Sequence, residues 1–369
     1  MKNRRNGMGI ITLKIEPWDT VMFRDGTLLD KKTSNYVESR FFPYPSVFYG
    51  AICTSLMENG YLNEVHKTLI ERNTTLLEDV LKENLKIRQI YLEMENEIYL
   101  PAPRDLIVNE DGDIRESNFQ KGLLYTNPQL QEKVKPASGK YISLYEFMTC
   151  YDISEKEEIY LKNQQEFAGE YQKTGIELED NKKIAKKEHL YFTTMKDYTY
   201  KNTCFLIEAE IHDEISKGFR ANILLGGEAR MARLELFLGS LDEYHKDIRE
   251  YNKKKSSSEN LKLIFTTPFI MKNEKSLESV LKEKGISVLS KIIGKPETAG
   301  GWDMAKNKPK ELKKVIPEGS LYLLKSSHFK SNTNEQNKNL LSEILSDVIV
   351  QKHRGFGSFI LANEEAVYD

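Results

Sequence analysis

Residues 225–238 read LGGEARMARLELFL, and residues 354–362 read RGFGSFILA. Each stretch sets two glycines and a nearby arginine in front of a strand-like run, with clear apolar/polar alternation over 231–238. Two such endings in one chain point to a diverged internal duplication, argued from the order of elements rather than from identity. Before the second ending come a strand at 262–270 (KLIFTTPFI), a helix at 276–284, a strand at about 286–293 and a long Gly/Lys loop. A strand at 320–325, a helix at 338–350 and a strand at 357–362 complete it. That β-α-β-β-α-β order is the ferredoxin-like one.

The first half gives the same order once two large insertions are removed. It opens with a strand at 10–16 (IITLKIE), a turn at Asp25-Gly26, and a helix over 47–58 with Ser46 as its N-cap. Residues 62–84 read as helical with a break at Asn73, Thr74 and Thr75. Residues 86–92 and 97–100 read as a hairpin, and Asn109 to Asp113 as a turn. The stretch 152–188, acidic and then lysine-rich, reads as a mobile insertion, and 189–195 with 203–211 as a strand pair. Residues 244–260 (YHKDIREYNKKKSSSEN) have almost no core formers and read as a linker. The expectation is an α+β chain of two tandem ferredoxin-like, RRM-like domains. The first spans 1–243 with insertions at about 60–185, and the second spans 261–369.

A length of 369 residues suits two domains. No run approaches the ~18 apolar residues of a membrane span, and the apolar stretch near the start is cut at Lys14, too short for a signal peptide. Cys53, Cys150 and Cys204 are too few and too scattered for a disulfide framework or a zinc cluster. A soluble cytoplasmic protein is expected, without cofactor or metal. Lys plus Arg is 54 and Asp plus Glu is 56, a formal net charge of −2. The distribution is uneven, however. Residues 217–233 carry Lys217, Arg220, Arg230 and Arg233 against Glu228 alone, and 294–314 carry six Lys against three acids. Residues 58–97 hold nine acids against five bases, and 143–180 ten against three. Such a chain is not a free-standing, electrostatically driven RNA binder. It fits a subunit with one face on RNA and others on protein.

Candidate RNA contacts follow from residue type. Gly226-Gly227 and Gly355-Phe356-Gly357 would let backbone N–H groups approach a phosphate, with Arg230, Arg233, Lys352 and Arg354 supplying charge. The same glycines would equally serve as tight turns into strands. Trp302, beside Lys306 and Lys308 in a glycine-flanked loop, suits stacking on an unpaired base or anchoring to a partner. Arg24 and Arg40 lie in segments rich in glycine, proline or aromatics, where a planar guanidinium suits phosphate. Pairing with the chain's own carboxylates is the alternative for every one of these arginines.

Six motifs occur in order: Pro17-Trp18-Asp19-Thr20 with Phe23-Arg24-Asp25-Gly26; Phe42-Pro43-Tyr44-Pro45-Ser46 with Tyr49-Gly50-Ala51-Ile52; Leu225 to Arg230; Gly300-Gly301-Trp302-Asp303; Val315 to Tyr322; and Arg354-Gly355-Phe356-Gly357. Together they resemble the third subunit of the type III-B CRISPR effector, the Cmr complex, in the RAMP superfamily. The resemblance implies two ferredoxin-like domains and a non-catalytic, RNA-binding subunit near the 5′ handle of the CRISPR RNA. It also implies docking against the large polymerase-like subunit and beside the backbone RAMP subunit, in antiviral defence, with no homo-oligomer. Related RAMP proteins include metal-independent nucleases, so an endoribonuclease with His353 as acid or base is the alternative. A purely structural adaptor is the third reading.

Overall fold

In chain order the first half contains β1 (Gly9–Pro17), α1 (Pro45–Glu58), α2 (Asn63–Ile70), α3 (Thr74–Asn84), β2 (Leu85–Met94), β3 (Glu97–Pro101), β4 (Lys140–Ser143) and β5 (Leu161–Asn163). It continues with β6 (Gly169–Leu178), β7 (Ala185–Asp197), β8 (Cys204–Ile211), β9 (Arg220–Leu224) and β10 (Met231–Leu236). The second half contains β11 (Asn260–Phe265), α4 (Leu277–Glu283), β12 (Ser287–Ile292), β13 (Glu297–Ala299), β14 (Lys313–Val315), β15 (Leu321–Lys325), α5 (Asn334–Val348) and β16 (Phe359–Asn363). The structure, a computed structural model, describes residues 9–24, 36–71, 74–110, 114–115, 117–120, 123–126, 133–148, 159–178, 184–237, 253, 258–272, 276–303 and 308–363. The expected turns at Asp25-Gly26 and 111–113 and most of the expected linker lie outside these residues.

The first half is organised by an eight-stranded sheet of order β5-β4-β3-β2-β8-β1-β10-β9. The second half has a four-stranded sheet of order β12-β15-β11-β16. Within both, the second, third, first and fourth strands of the expected unit lie side by side, as β2-β8-β1-β10 and as β12-β15-β11-β16. All six of those pairings are antiparallel. The second half carries a helix in each of the two expected places. In the first half, residues 212–219 hold no helix, and β9 follows instead and pairs with β10. Eight residues ending in Lys217-Gly218-Phe219 leave no room for a helix that returns along the sheet, so a strand hairpin fills the gap.

Alternation decides which face of each strand is covered. Leu13 and Ile15 of β1 and Phe205, Ile207 and Ala209 of β8 pack with Phe48, Ile52 and Leu56 of α1. On the second sheet, Leu261, Leu263, Tyr322 and Leu361 pack with Leu281 of α4 and Leu341, Ile344 and Leu345 of α5. The remaining faces meet each other: Tyr91, Leu100, Ile142 and Leu206 from the large sheet form one buried cluster with Ile264, Leu321 and Ala362 from the small one. The layers therefore run helices, sheet, sheet, helices. Polar links cross the sheet-to-sheet layer as well. Gln89 Nε2 donates to Thr266 Oγ1 at 2.7 Å, and Lys262 pairs with Asp105 at 2.9 Å.

Several local expectations change. Ser46 does not cap α1; Pro45 occupies its first turn and Tyr44 precedes it with no side-chain cap bond. The Tyr44 hydroxyl instead donates to the Thr298 carbonyl at 3.1 Å, so it serves the other half. The stretch 152–188 is not a featureless insertion, since its described residues build β5, a helical turn at Gln164–Phe167, and β6 with the start of β7. Nor do 189–195 and 203–211 pair. β7 pairs with β6 and with Tyr36–Val37, while β8 lies between β1 and β2. β8 buries Phe205, Ile207, Ala209 and Ile211 on one face and Cys204 and Leu206 on the other, and takes a central position; β7, rich in Lys and Thr, goes to a separate hairpin. The 262–270 strand ends at Phe265, ahead of Pro268. The hairpin of β2 and β3 turns at Glu95 and Asn96, both at positive φ (57° and 65°), as a two-residue turn of the twist-matched kind requires. Helix α5 begins at Asn334, earlier than expected, because Thr333 and Gln336 cap it reciprocally.

Truncating the sheet-to-sheet layer should destabilise the whole chain. Leu206→Ala, at a side chain 1% exposed, is expected to cost about 2–5 kcal/mol in urea unfolding; a change below about 0.5 kcal/mol, the range of ordinary surface substitutions, would show that the layer is not packed as described.

Candidate nucleic-acid interface

The glycine turns come first, because they carried the expectation of phosphate contact. At Gly226 (φ 76°) a Cβ would lie 2.5 Å from the Met22 carbonyl oxygen, so only glycine lets residues 22–23 pass this close. The Gly227 N–H donates to that same carbonyl at 2.9 Å. Gly355 (φ 94°) and Gly357 (φ 70°) are buried; a Cβ on the first would meet Ile87 and Pro45, and on the second Ile349. Their N–H groups donate to Lys352 O at 2.9 Å and Pro268 O at 3.0 Å. Phe356 stacks on Tyr44 with centroids 6.2 Å apart. A phosphate cradle needs free, outward N–H groups. Those of Gly227, Gly355 and Gly357 are committed inward, and the C-terminal loop is a packing joint between the halves. Of the two readings of these glycines, the structure takes the turn.

The arginines divide. Arg40 is turned into the seam: its Nη1 donates to Glu297 at 2.5 Å, its guanidinium lies 4.2 Å from the Tyr44 ring centroid, and Glu318 is 3.9 Å away. Burial works against its charge, yet Glu318, Tyr44 and Glu297 hold its pKa above the ordinary arginine value. Burial pushes the Glu318 carboxyl up, with Arg40 opposing. Arg104 joins from the other side, its Nε donating to Glu318 O at 3.2 Å and its backbone N–H to Gly319 O at 3.0 Å. Arg40 is thus part of a clamp between the halves, with its donors committed to protein. Arg230 pairs with Asp19 at 2.8 Å, and Arg233 with Glu16 and, at 3.7 Å, Glu235. These pairs follow from strand register, since Glu16 of β1 sits opposite Arg233 of β10. Arg24 is exposed. Arg354 lies over the Tyr49 ring at 5.5 Å and donates from Nε to His353 Nε2 at 3.3 Å, while His353 meets Tyr49 edge-on at 5.5 Å. Lys352 donates to Ser342 Oγ at 3.0 Å; burial, helped by Lys338 and Arg88, pushes its pKa down to about 8.

The lysine-rich segment forms an arm. β13 and β14 pair antiparallel, and beyond them Trp302 pairs with Pro309 and Asp303 with Lys308. Lys306 lies outside the described residues. Lys295, Lys310 and Lys314 are exposed along it. Its root is held to the first half by the Tyr44–Thr298 and Arg40–Glu297 contacts already given. A second hairpin, β6 with β7, is fixed near its base by Lys173–Glu228 at 3.0 Å and by a bridge between Val21 and Lys196. Sequence reading missed a basic depression of about 410 Å³ beside β9, lined by Lys14, Lys217, Arg220 and Glu235 with Phe219 and Phe237. The charge excess of 217–233 was its only trace in the sequence. Among the described residues no group of three or more His, Cys, Asp or Glu is placed to hold a metal ion, and no helix is long and apolar enough to cross a membrane.

Residues 13–364 match the family model described as CRISPR-associated protein (Cas_Cmr3). The chain belongs to the Cas_Cmr3 family. The six ordered motifs pointed to this family, whose members are subunits of type III-B effectors. The chain is also similar to a chain of the type III-B Cmr-beta assembly bound to cognate target RNA and AMPPnP, with 16% identity, TM-score 0.49, and 93% and 91% of the two chains covered. A second type III-B Cmr-beta structure bound to cognate target RNA gives 18% identity, TM-score 0.47, and 85% and 86% coverage. A chain of the Csm3–Csm4 subcomplex of a type III-A interference complex gives 12% identity, TM-score 0.37, and 87% and 94% coverage. No curated protein matches the chain.

Within this Cas_Cmr3 chain the Arg40 clamp makes a sharp prediction. Arg40→Ala leaves the carboxylate of Glu318 without its main cation and is expected to cost about 3–5 kcal/mol in chemical unfolding at pH 7. The cost should shrink as pH falls through the raised folded pKa of Glu318, because protonation removes the unpaired charge.

Proposed function

We propose that this chain is a non-catalytic, RNA-binding subunit of a type III-B CRISPR RNA-guided effector. In this reading it contacts the 5′ handle of the CRISPR RNA and joins the large polymerase-like subunit to the backbone subunit. Its halves are two tandem ferredoxin-like domains, 1–243 and 261–369 with 244–260 as linker, the first having β9 in place of its second helix. The observation that carries the RNA contact is the arm 297–315. It brings five lysines of the sequence together with Trp302, is rooted at the seam by Tyr44–Thr298 and Arg40–Glu297, and carries Lys310 and Lys314 exposed. Arg24, Trp302, Lys306 and Lys308 are the RNA-facing residues of this reading. Arg230 and Arg233 act through their ion pairs, and Arg40 and the four glycines support the scaffold. His353 is a packing group between Tyr49 and Arg354, which speaks for the non-catalytic reading over the endoribonuclease. The chain works in the cytoplasm, inside the ribonucleoprotein and not as a homo-oligomer.

The test is ultraviolet crosslinking of the handle in the reconstituted complex. Trp302→Ala combined with Lys306→Glu and Lys308→Glu should reduce the crosslink to this subunit at least about tenfold, since stacking on a base contributes ~1–3 kcal/mol. The salt dependence of guide binding should flatten by about 0.7 for each phosphate that the variant no longer neutralises. Assembly with unchanged crosslinking and unchanged salt slope would favour an adaptor that touches protein only.

A further inference from the structure

At one end of the seam, charges from both halves converge. Lys86 and Arg88 of β2 and Glu208 and Glu210 of β8 come from the large sheet. Arg88 holds both carboxylates, at 3.5 Å and 3.0 Å, and Lys86 shares Glu210 at 3.8 Å. From the second half, Lys338 and Ser342 stand one turn apart on α5, so they share a face. Lys352, in the loop after α5, donates to Ser342 Oγ at 3.0 Å and lies 5.7 Å from the Phe359 ring centroid. Lys338 is half-buried and has no hydrogen bond or ion pair among the described residues. It feels Glu208 and Glu335 as attractive and Arg88 as repulsive. Four cations thus face two carboxylates that are already shared, with Glu335 on the exposed side of α5. A half-buried ammonium with no hydrogen bond or close ion pair is a cost to the fold.

We propose that Lys338, Lys352 and Ser342, with Arg88 behind them, form a site for a phosphate oxyanion at the seam between the halves. Two ammonium groups and a hydroxyl offer donors from two sides, and an anion here would neutralise the excess charge that burial makes costly. The proposal stands on this geometry and not on the function proposed above. Two sources supply such a group, a phosphodiester of an RNA backbone and a free phosphate species. Burial, Lys338 and Arg88 all disfavour the charge of Lys352, and a bound anion would favour it.

The experiment uses the full chain, with inorganic phosphate and a short single-stranded RNA as separate probes at constant ionic strength. Thermal stabilisation should saturate with at least one probe. Calorimetry at pH 8 in buffers of different ionisation enthalpy should show proton uptake on binding, and affinity should fall as pH rises from 8 to 10. Lys338→Met and Lys352→Met should each weaken binding about tenfold or more, the effect expected for one charge-assisted hydrogen bond. Without ligand, Lys352→Met should be no less stable than the parent chain, which separates weaker binding from weaker folding. Phosphate binding that RNA does not displace assigns the site to a free species. Displacement by RNA, or lysine-dependent binding of RNA alone, assigns it to a backbone phosphate. The proposal is overturned if neither probe binds, or if the two lysine variants bind as the parent does. Arm variants that abolish handle crosslinking leave this result untouched, so the two readings fail separately.

Discussion

The apolar layer between the two sheets is the constraint on which the other features depend. Tyr91 and Leu206 on one side and Ile264 and Leu321 on the other are all buried. A sheet has two faces, and here each sheet gives one to its own helices and the other to its counterpart. Helices are thereby confined to the outside of both sheets. Burial at this scale is non-directional and does not fix register by itself. Directional contacts do: Gln89 with Thr266, Lys262 with Asp105, and Arg40 between Glu297, Glu318 and Tyr44.

Polar chemistry at the seam is organised by the same layer. Cys204 donates to Glu93, which pairs with Lys14 at 3.3 Å, and burial pushes the Cys204 thiol well up, so it remains a neutral donor. Gly355 of the C-terminal loop lets Ile87 of the first half approach the second at a distance that a Cβ would forbid, with Pro45 close beside it. That close approach brings Lys352 toward Arg88 and produces the excess charge at the end of the seam. The arm 297–315 is different in kind. It owes its position to its root, and its described lysines Lys310 and Lys314 are exposed, which is what the proposed RNA contact requires.

The second half was legible in the sequence because its signals are local. Alternation marked its strands and helices in the right order, although the first strand was read through Pro268 to 270 and ends at Phe265, and α5 was read from 338 and begins at Asn334. The first half was legible in strand order but not in detail. That β8 lies between β1 and β2, and that β7 leaves for another hairpin, are long-range pairings that composition does not encode. A helix expected before β10 gave way to β9 because residues 212–219 are too short for it. At the candidate site, identity was a weaker guide than geometry. Gly355 and Gly357 are required by close packing, a reading no local pattern separates from phosphate approach. Arg233 and Glu16 become partners only once the register of β1 against β10 is known.

The glycine turns lock the scaffold, with the N–H groups of Gly227, Gly355 and Gly357 committed to carbonyls of the chain itself. Amide hydrogen exchange of Gly227, Gly355 and Gly357, with and without guide RNA in the assembled complex, tests this most directly. Protection already present in the chain without RNA, and unchanged when RNA is added, is the result expected from N–H groups committed to Met22, Lys352 and Pro268. Fast exchange in the RNA-free protein that slows only when RNA is bound would contradict it.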